Sequence, residues 1–156
     1  MSPIRRFEAD RFRWEGVPER VYKYQDAASS ERGLGWKDVV RNTLFGREGE
    51  PAAFEVRYFE IAPGGYSTLE KHRHVHAVTV VRGTGLVVVG TEVHRVRPFD
   101  FIYVPPMVPH QFVNDGGEPF GFLCVVDGDR DRPQPPSDEE LAQLQAHPEV
   151  GRVIRR

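Results

Sequence analysis

A chain of 156 residues with 39% hydrophobic side chains has apolar material for one core and not for two, so a single domain is expected. Its 21 basic and 23 acidic residues nearly cancel, to a formal charge of -2, and no block of Lys or Arg is dense enough to track a phosphodiester backbone, which excludes nucleic acid as a partner. No apolar run approaches the roughly 20 residues that cross a bilayer, the polar start Met1 to Asp10 lacks a signal peptide's apolar centre, and a lone cysteine, Cys124, cannot form an internal disulfide; a cytoplasmic protein without a membrane partner is expected.

Residues 1–52 scatter aromatics (Phe7, Phe12, Trp14, Tyr22, Tyr24, Trp36) among charges, with turn formers at Gly16, Pro18, Gly33 and Gly35 and no sustained helical or strand period. Such a segment reads as an arm that packs on the domain that follows or on a second copy of the chain. Over residues 53–127 the texture changes: "FEVRYFEIAPGG", "HAVTVVRGTG", "LVVVGTEVHRV", "DFIYVPP", "HQFVNDGGEP" and "FGFLCVVDGD" are β-rich runs closed by Gly, Pro, Asn or Asp. Six runs at roughly ten-residue spacing predict an all-β antiparallel sandwich or barrel. After Val126 the polar, proline-rich "DGDRDRPQPPSD" leads into residues 128–156 and is expected to cross the surface. Ser137 and Glu140 then form a capping-box pattern, and Leu141 and Leu144 give an apolar pair before Pro148, which predicts a short C-terminal helix.

Within "EKHRHVHAVTVVRG", Glu70, His72, His74 and His76 alternate, so on a strand all four would share one face. Imidazole nitrogen and carboxylate oxygen bind divalent transition metals at roughly 2.0 to 2.2 Å, so donors must converge. On a straight strand His72 and His76 stand about 13 Å apart, at about 3.3 Å per residue, so convergence requires a bend or bulge between them. Arg57, Lys71 and Arg73, of opposite parity or without a motif role, are expected at the solvent, and His94 and His147 read as solvated polar residues.

The segment resembles the first motif of the cupin superfamily, G-x5-H-x-H-x3-E-x6-G. Aligned on Gly83, the resemblance puts His76 at the family's Glu, His72 at its second His, Glu70 at its first His and Gly64 at its leading Gly. The second motif, G-x5-P-x-G-x2-H-x3-N, is similar to "FDFIYVPPMVPHQFVN", with Pro105, His110 and Asn114 in register and Phe99 and Met107 where the family has Gly. Both positions often need positive φ, so turns different from the family's are expected there. The resemblance implies a single antiparallel jelly-roll barrel and a metal held by Glu70, His72, His76 and His110. His74 falls between motif positions, as a group supporting a ligand, a substrate contact or a replacement for Glu70. Three imidazoles with a carboxylate suit Mn, Fe, Ni, Co or Zn; the resemblance implies manganese first, then iron. It also implies a homodimer, onto which residues before Ala53 would pack.

Phe122, Cys124 and Val126 share a strand face, where Cys124 is either a pocket nucleophile or redox group or a small buried hydrophobe. "FEVRYFEIAPGG", "STLEKHRHVHAV", "PPMVPHQF" and "FGFLCVVDGDRDRPQ" together are similar to a small bacterial cupin group that includes 1-methylthio-xylulose 5-phosphate methylsulfurylase. That group is manganese-dependent and removes a methylthio group from a phosphorylated keto sugar onto a thiol, a role in which Cys124 or an external thiol would serve. No Gly-rich loop enters a helix, so a phosphate cradle of that kind is absent from the sequence. A metal-dependent dioxygenase of a small substrate and a non-catalytic ligand-binding barrel are the alternative functions.

Overall fold

The structure, a computed structural model, describes residues 3–23, 35–47 and 49–156; Tyr24 and Gly33 lie outside these. Strands β1 (Phe7–Glu8) and β2 (Arg13–Trp14) pair with each other, and the rings of Phe12 and Trp14 lie 5.6 and 5.1 Å from that of Tyr58. This cover explains why Tyr58, on the outer face of its strand, is fully buried. Strand β3 (Arg20–Val21) pairs with β4 (Lys37–Phe45), a nine-residue strand in a region where the sequence shows no strand period. The pattern is hidden because β4 carries Arg41 and Thr43 on its inward face beside Val39, so its buried side does not read as apolar.

Strand β5 (Phe54–Tyr66) pairs with β4, with β10 (His110–Val113) and with β11 (Phe120–Asp127). Along the sheet the order continues from β11 to β6 (His76–Arg82) and β9 (Phe101–Val104), and from β10 to β7 (Gly85–Val89) and β8 (Glu92–Val96). All pairings are antiparallel, and the nine-stranded sheet curls into a half-barrel. The run "LVVVGTEVHRV", read as one strand, is therefore two, because Gly90 with φ 59° lets the chain reverse between Val89 and Glu92. The core lies in the concavity, where Phe59, Val78, Phe112, Phe122, Cys124 and Val126 meet.

Two further features position the cluster described below. Gly64 and Gly83 have φ of 80° and 62°, and a Cβ on Gly83 would stand 2.1 Å from the Pro119 oxygen. Phe99 and Met107, expected to alter their turns, keep the left-handed backbone at φ 73° and 60° that favours glycine, and so hold a strained conformation. At the C-terminus, α1 (Asp138–Ala146) has both hydrogen bonds of the expected Ser137–Glu140 capping box, and a one-turn helix α2 (Val150–Val153) follows it. Leu144 and Val150 pack with Leu69 and Val88, and the side chain of the fully buried Gln111 joins Arg155 through two backbone hydrogen bonds of 2.8 Å. The helices thus clamp the residues beside Glu70 and His110.

Candidate metal centre

After β5 the chain does not run straight into the next strand. Leu69 turns into the helical cluster while Glu70 turns into the barrel, and Glu70 and His110 exchange backbone hydrogen bonds of 3.1 and 2.9 Å as direct neighbours. The His72 carbonyl accepts from Met107 N at 2.7 Å, and the chain bends through residues 73–74 before β6 starts at His76. This bend supplies the convergence that a straight strand forbids. Asp131, on the crossing after β11, holds it by accepting from the backbone of Arg73 at 2.8 Å and of His74 at 3.0 Å.

One donor atom from each of Glu70, His72, His76 and His110 lies within 4.8 Å of the others. The Nε2 atoms of His72 and His76 stand 2.9 Å apart, close to the roughly 3 Å that separates two nitrogens bound at right angles to one ion at about 2.1 Å. Ring orientation is fixed from outside. His72 Nδ1 donates to the His74 carbonyl at 2.7 Å and His110 Nδ1 to the Val108 carbonyl at 3.0 Å, which leaves each Nε2 with a bare lone pair. The donors present therefore fit a divalent cation.

The electrostatics favour the same occupancy. Burial drives His72 down to about 4, and burial likewise lowers His110 and takes His76 well below its ordinary value, so at neutral pH the rings are ready as uncharged ligands. Burial would raise the Glu70 carboxyl, but Lys23, with His110 and a hydrogen bond from Thr68, overrides it and brings it to about 2. Lys23 and Thr68 both bond Oε2 of Glu70, leaving Oε1 on the side of His72, 3.9 Å from its Nε2. Tyr22 extends this chain, its hydroxyl 3.1 Å from Thr68 Oγ1.

His74 stands apart from the four. Its ring stacks on that of His72 at 3.6 Å and 3°, and Nδ1 donates to Asp131 at 2.8 Å. Cys124 faces the cluster, with Sγ 3.0 Å from His76 Nδ1 and 3.7 Å from Arg57 Nη2. Burial raises the thiol's pKa, and the Arg57 charge opposes that rise. Arg57 is buried at 7% exposure, contrary to its assignment to solvent: β5 turns Glu55, Arg57, Phe59 and Ile61 inward together. Lys71 is likewise engaged, 2.6 Å from Glu140, whereas Arg73 is exposed. His94 is solvated beside Glu92, and His147 accepts a hydrogen bond from Val150 N at the end of α1.

A cavity of about 200 Å³ opens beside the cluster, with Cys124, His74, Phe59 and Phe122 in its wall. Four supporting residues, Lys23, Thr68, Arg57 and Asp131, were missed from the sequence. Thr68 has the parity of Glu70 and was detectable on that ground; Lys23 and Asp131 come from segments without periodicity, which carry no signal of what they reach.

The family model described as Cupin domain matches residues 57–126. A 1-methylthio-D-xylulose 5-phosphate methylsulfurylase from Rhodospirillum rubrum is 40% identical over 97% of this chain and 92% of its own. Among solved structures, a conserved barrel domain protein from Rhodopseudomonas palustris is 41% identical, with a TM-score of 0.84 over 98% of this chain and 99% of its own. Another, from Rhodospirillum rubrum, is 39% identical, with a TM-score of 0.77 over 96% of this chain and 95% of its own.

Proposed function

The chain belongs to the cupin domain family, and from that premise we propose that it is a metal-dependent methylsulfurylase acting on a phosphorylated keto sugar. Glu70, His72, His76 and His110 would hold the ion, manganese by preference with iron next. Such an ion supplies Lewis acidity toward the oxygen of the keto group beside the carbon that bears sulfur. The observation that carries the reading is the position of Cys124, whose sulfur lies 3.0 Å from a ring of the cluster and opens onto the cavity. A cysteine that merely filled core volume would have no need of that neighbour.

With His76 held through Nε2, its Nδ1–H donates toward Cys124 Sγ, and Arg57 Nη2 donates from the other side; both favour the thiolate against the effect of burial. A thiolate, from Cys124 or an external thiol, attacks the methylthio sulfur. The carbon–sulfur bond breaks, its electron pair passes to carbon, and a sulfur–sulfur bond forms. Carbon is thereby reduced and takes a proton, giving the deoxy keto sugar, while the two sulfurs are oxidised to a methyl disulfide. A second thiol then releases methanethiol if Cys124 was the acceptor. His74, oriented by Asp131 and lining the cavity, would relay that proton through Nε2. A reducing cytoplasm would keep Cys124 as a thiol between turnovers.

The test incubates the metal-loaded protein with a 1-methylthio keto sugar phosphate and dithiothreitol under argon. Release of methanethiol, reduced at least 100-fold in Cys124→Ser with metal content unchanged, is expected. Full turnover by Cys124→Ser would move the acceptor role to the external thiol. Turnover of a small substrate that stops without oxygen would replace the proposal by a dioxygenase.

A further inference from the structure

Away from the four clustered donors, the cavity wall also carries three guanidinium groups. Arg41 of β4, Arg57 of β5 and Arg130 of the crossing all line it. Arg130 is compensated by Glu55, 3.2 Å away, which Arg47 also approaches at 3.9 Å. Arg41 and Arg57 have no carboxylate within ion-pair distance among the described residues. The Nε atoms of both are buried without a hydrogen-bond partner, although Arg57 is only 7% exposed. Thr43, paired across the strands with Arg57, buries a hydroxyl that also lacks a partner. Burial and the charges of Arg57, Arg47 and Arg130 depress the basicity of Arg41 against the opposing charge of Glu55, as expected where cations outnumber the carboxylate they surround.

Guanidinium charges withdrawn from water without a counter-ion are unfavourable unless a ligand provides one. The complement to this set must accept hydrogen bonds on several oxygens and carry about two negative charges, one each for Arg41 and Arg57. A phosphate monoester meets both conditions, with roughly -1.5 to -2 charge near neutrality. A carboxylate, with one charge and two oxygens, meets neither in full. We infer that Arg41 and Arg57, backed by Arg130, form an oxyanion subsite that binds the phosphate end of the substrate on the strand face that carries Cys124. Arg57 joins the two regions, since it pairs in register with Cys124. The inference rests on the reading above for the identity of the molecule that brings the phosphate, and its test reads anion binding without turnover.

Inorganic phosphate is titrated into the full chain at constant ionic strength, made up with chloride, and the thermal midpoint is followed. The wild type and Arg95→Met, whose exposed arginine pairs with Asp115, should show a saturable rise. Arg41→Met should weaken the apparent affinity at least 10-fold, and Arg130→Met several-fold. Each variant's midpoint without phosphate reports its folding, and Arg130→Met carries the test if Arg41→Met does not fold. No rise beyond that with chloride, or an equal rise in both site variants, overturns the subsite. Arginine-dependent phosphate binding in a protein that never releases methanethiol keeps the subsite and removes the methylsulfurylase. Turnover with the same KM for the phosphorylated and dephosphorylated sugars removes the subsite and keeps the reaction.

Discussion

Three buried imidazoles and a buried carboxylate within a few ångströms have a measurable consequence even without an ion. His72, held near 4, and His76 and His110, also lowered, stay neutral in the folded chain while the same groups in the unfolded chain take protons near 6.5. Between those values the unfolded state binds more protons, so their contribution to stability is complete above pH 6.5 and is lost as pH falls toward 4. Glu70, brought to about 2, adds stability above its ordinary value near 4.5 that disappears only at lower pH. Calorimetry of chelator-treated protein should therefore show a midpoint lower at pH 4.5 than at pH 7 by on the order of 5 °C or more. An unchanged midpoint would mean that the rings are already hydrated or charged. At this scale the sequence was readable: alternation marked Glu70, His72 and His76, and the second motif's spacing brought in His110. Arg57 carries no such mark, because the inner face of β5 is polar at one end, with Glu55 and Arg57, and apolar at the other, with Phe59 and Ile61.

Among the elements, the turns show how a motif outlasts its own residue types. Phe99 keeps a left-handed backbone at φ 73° with its side chain 86% exposed, so little packing offsets the strain. A left-handed non-glycine residue costs about 1–2 kcal/mol, against roughly 0.5–1 kcal/mol for the extra chain entropy of glycine. Phe99→Gly should raise the melting midpoint by about 2 °C; a fall would show that the ring contributes packing after all. The C-terminal helix was legible because its cap and apolar pair are local signals. Strand β4 was not, since it is defined by pairing with β5 and carries inward-facing Arg41 and Thr43. The split of "LVVVGTEVHRV" into β7 and β8 depended on one glycine turn within a run that is β-rich on both sides.

For the whole molecule, the curled sheet leaves apolar side chains outside. Ile4, Phe7 and Val21 of the N-terminal region are 59%, 46% and 62% exposed, and Phe101 and Tyr103 of β9 are 66% and 56% exposed. Contact with a second copy of the chain is the proposal that accounts for them, and light scattering after gel filtration should give twice the chain mass. Elution at the mass of one chain would remove it. No helix among the described residues is long and apolar enough to cross a membrane. The central claim, on which the chemistry at Cys124 and the orientation of its substrate both depend, is that the curled sheet gathers Glu70, His72, His76 and His110 around one divalent ion. Elemental analysis of protein purified without added metal tests it most directly. The expected result is about one transition-metal ion per chain, retained on dialysis and reduced at least 10-fold in folded His72→Ala and His110→Ala variants. A wild type with negligible metal, or variants that keep their metal in full, would contradict it.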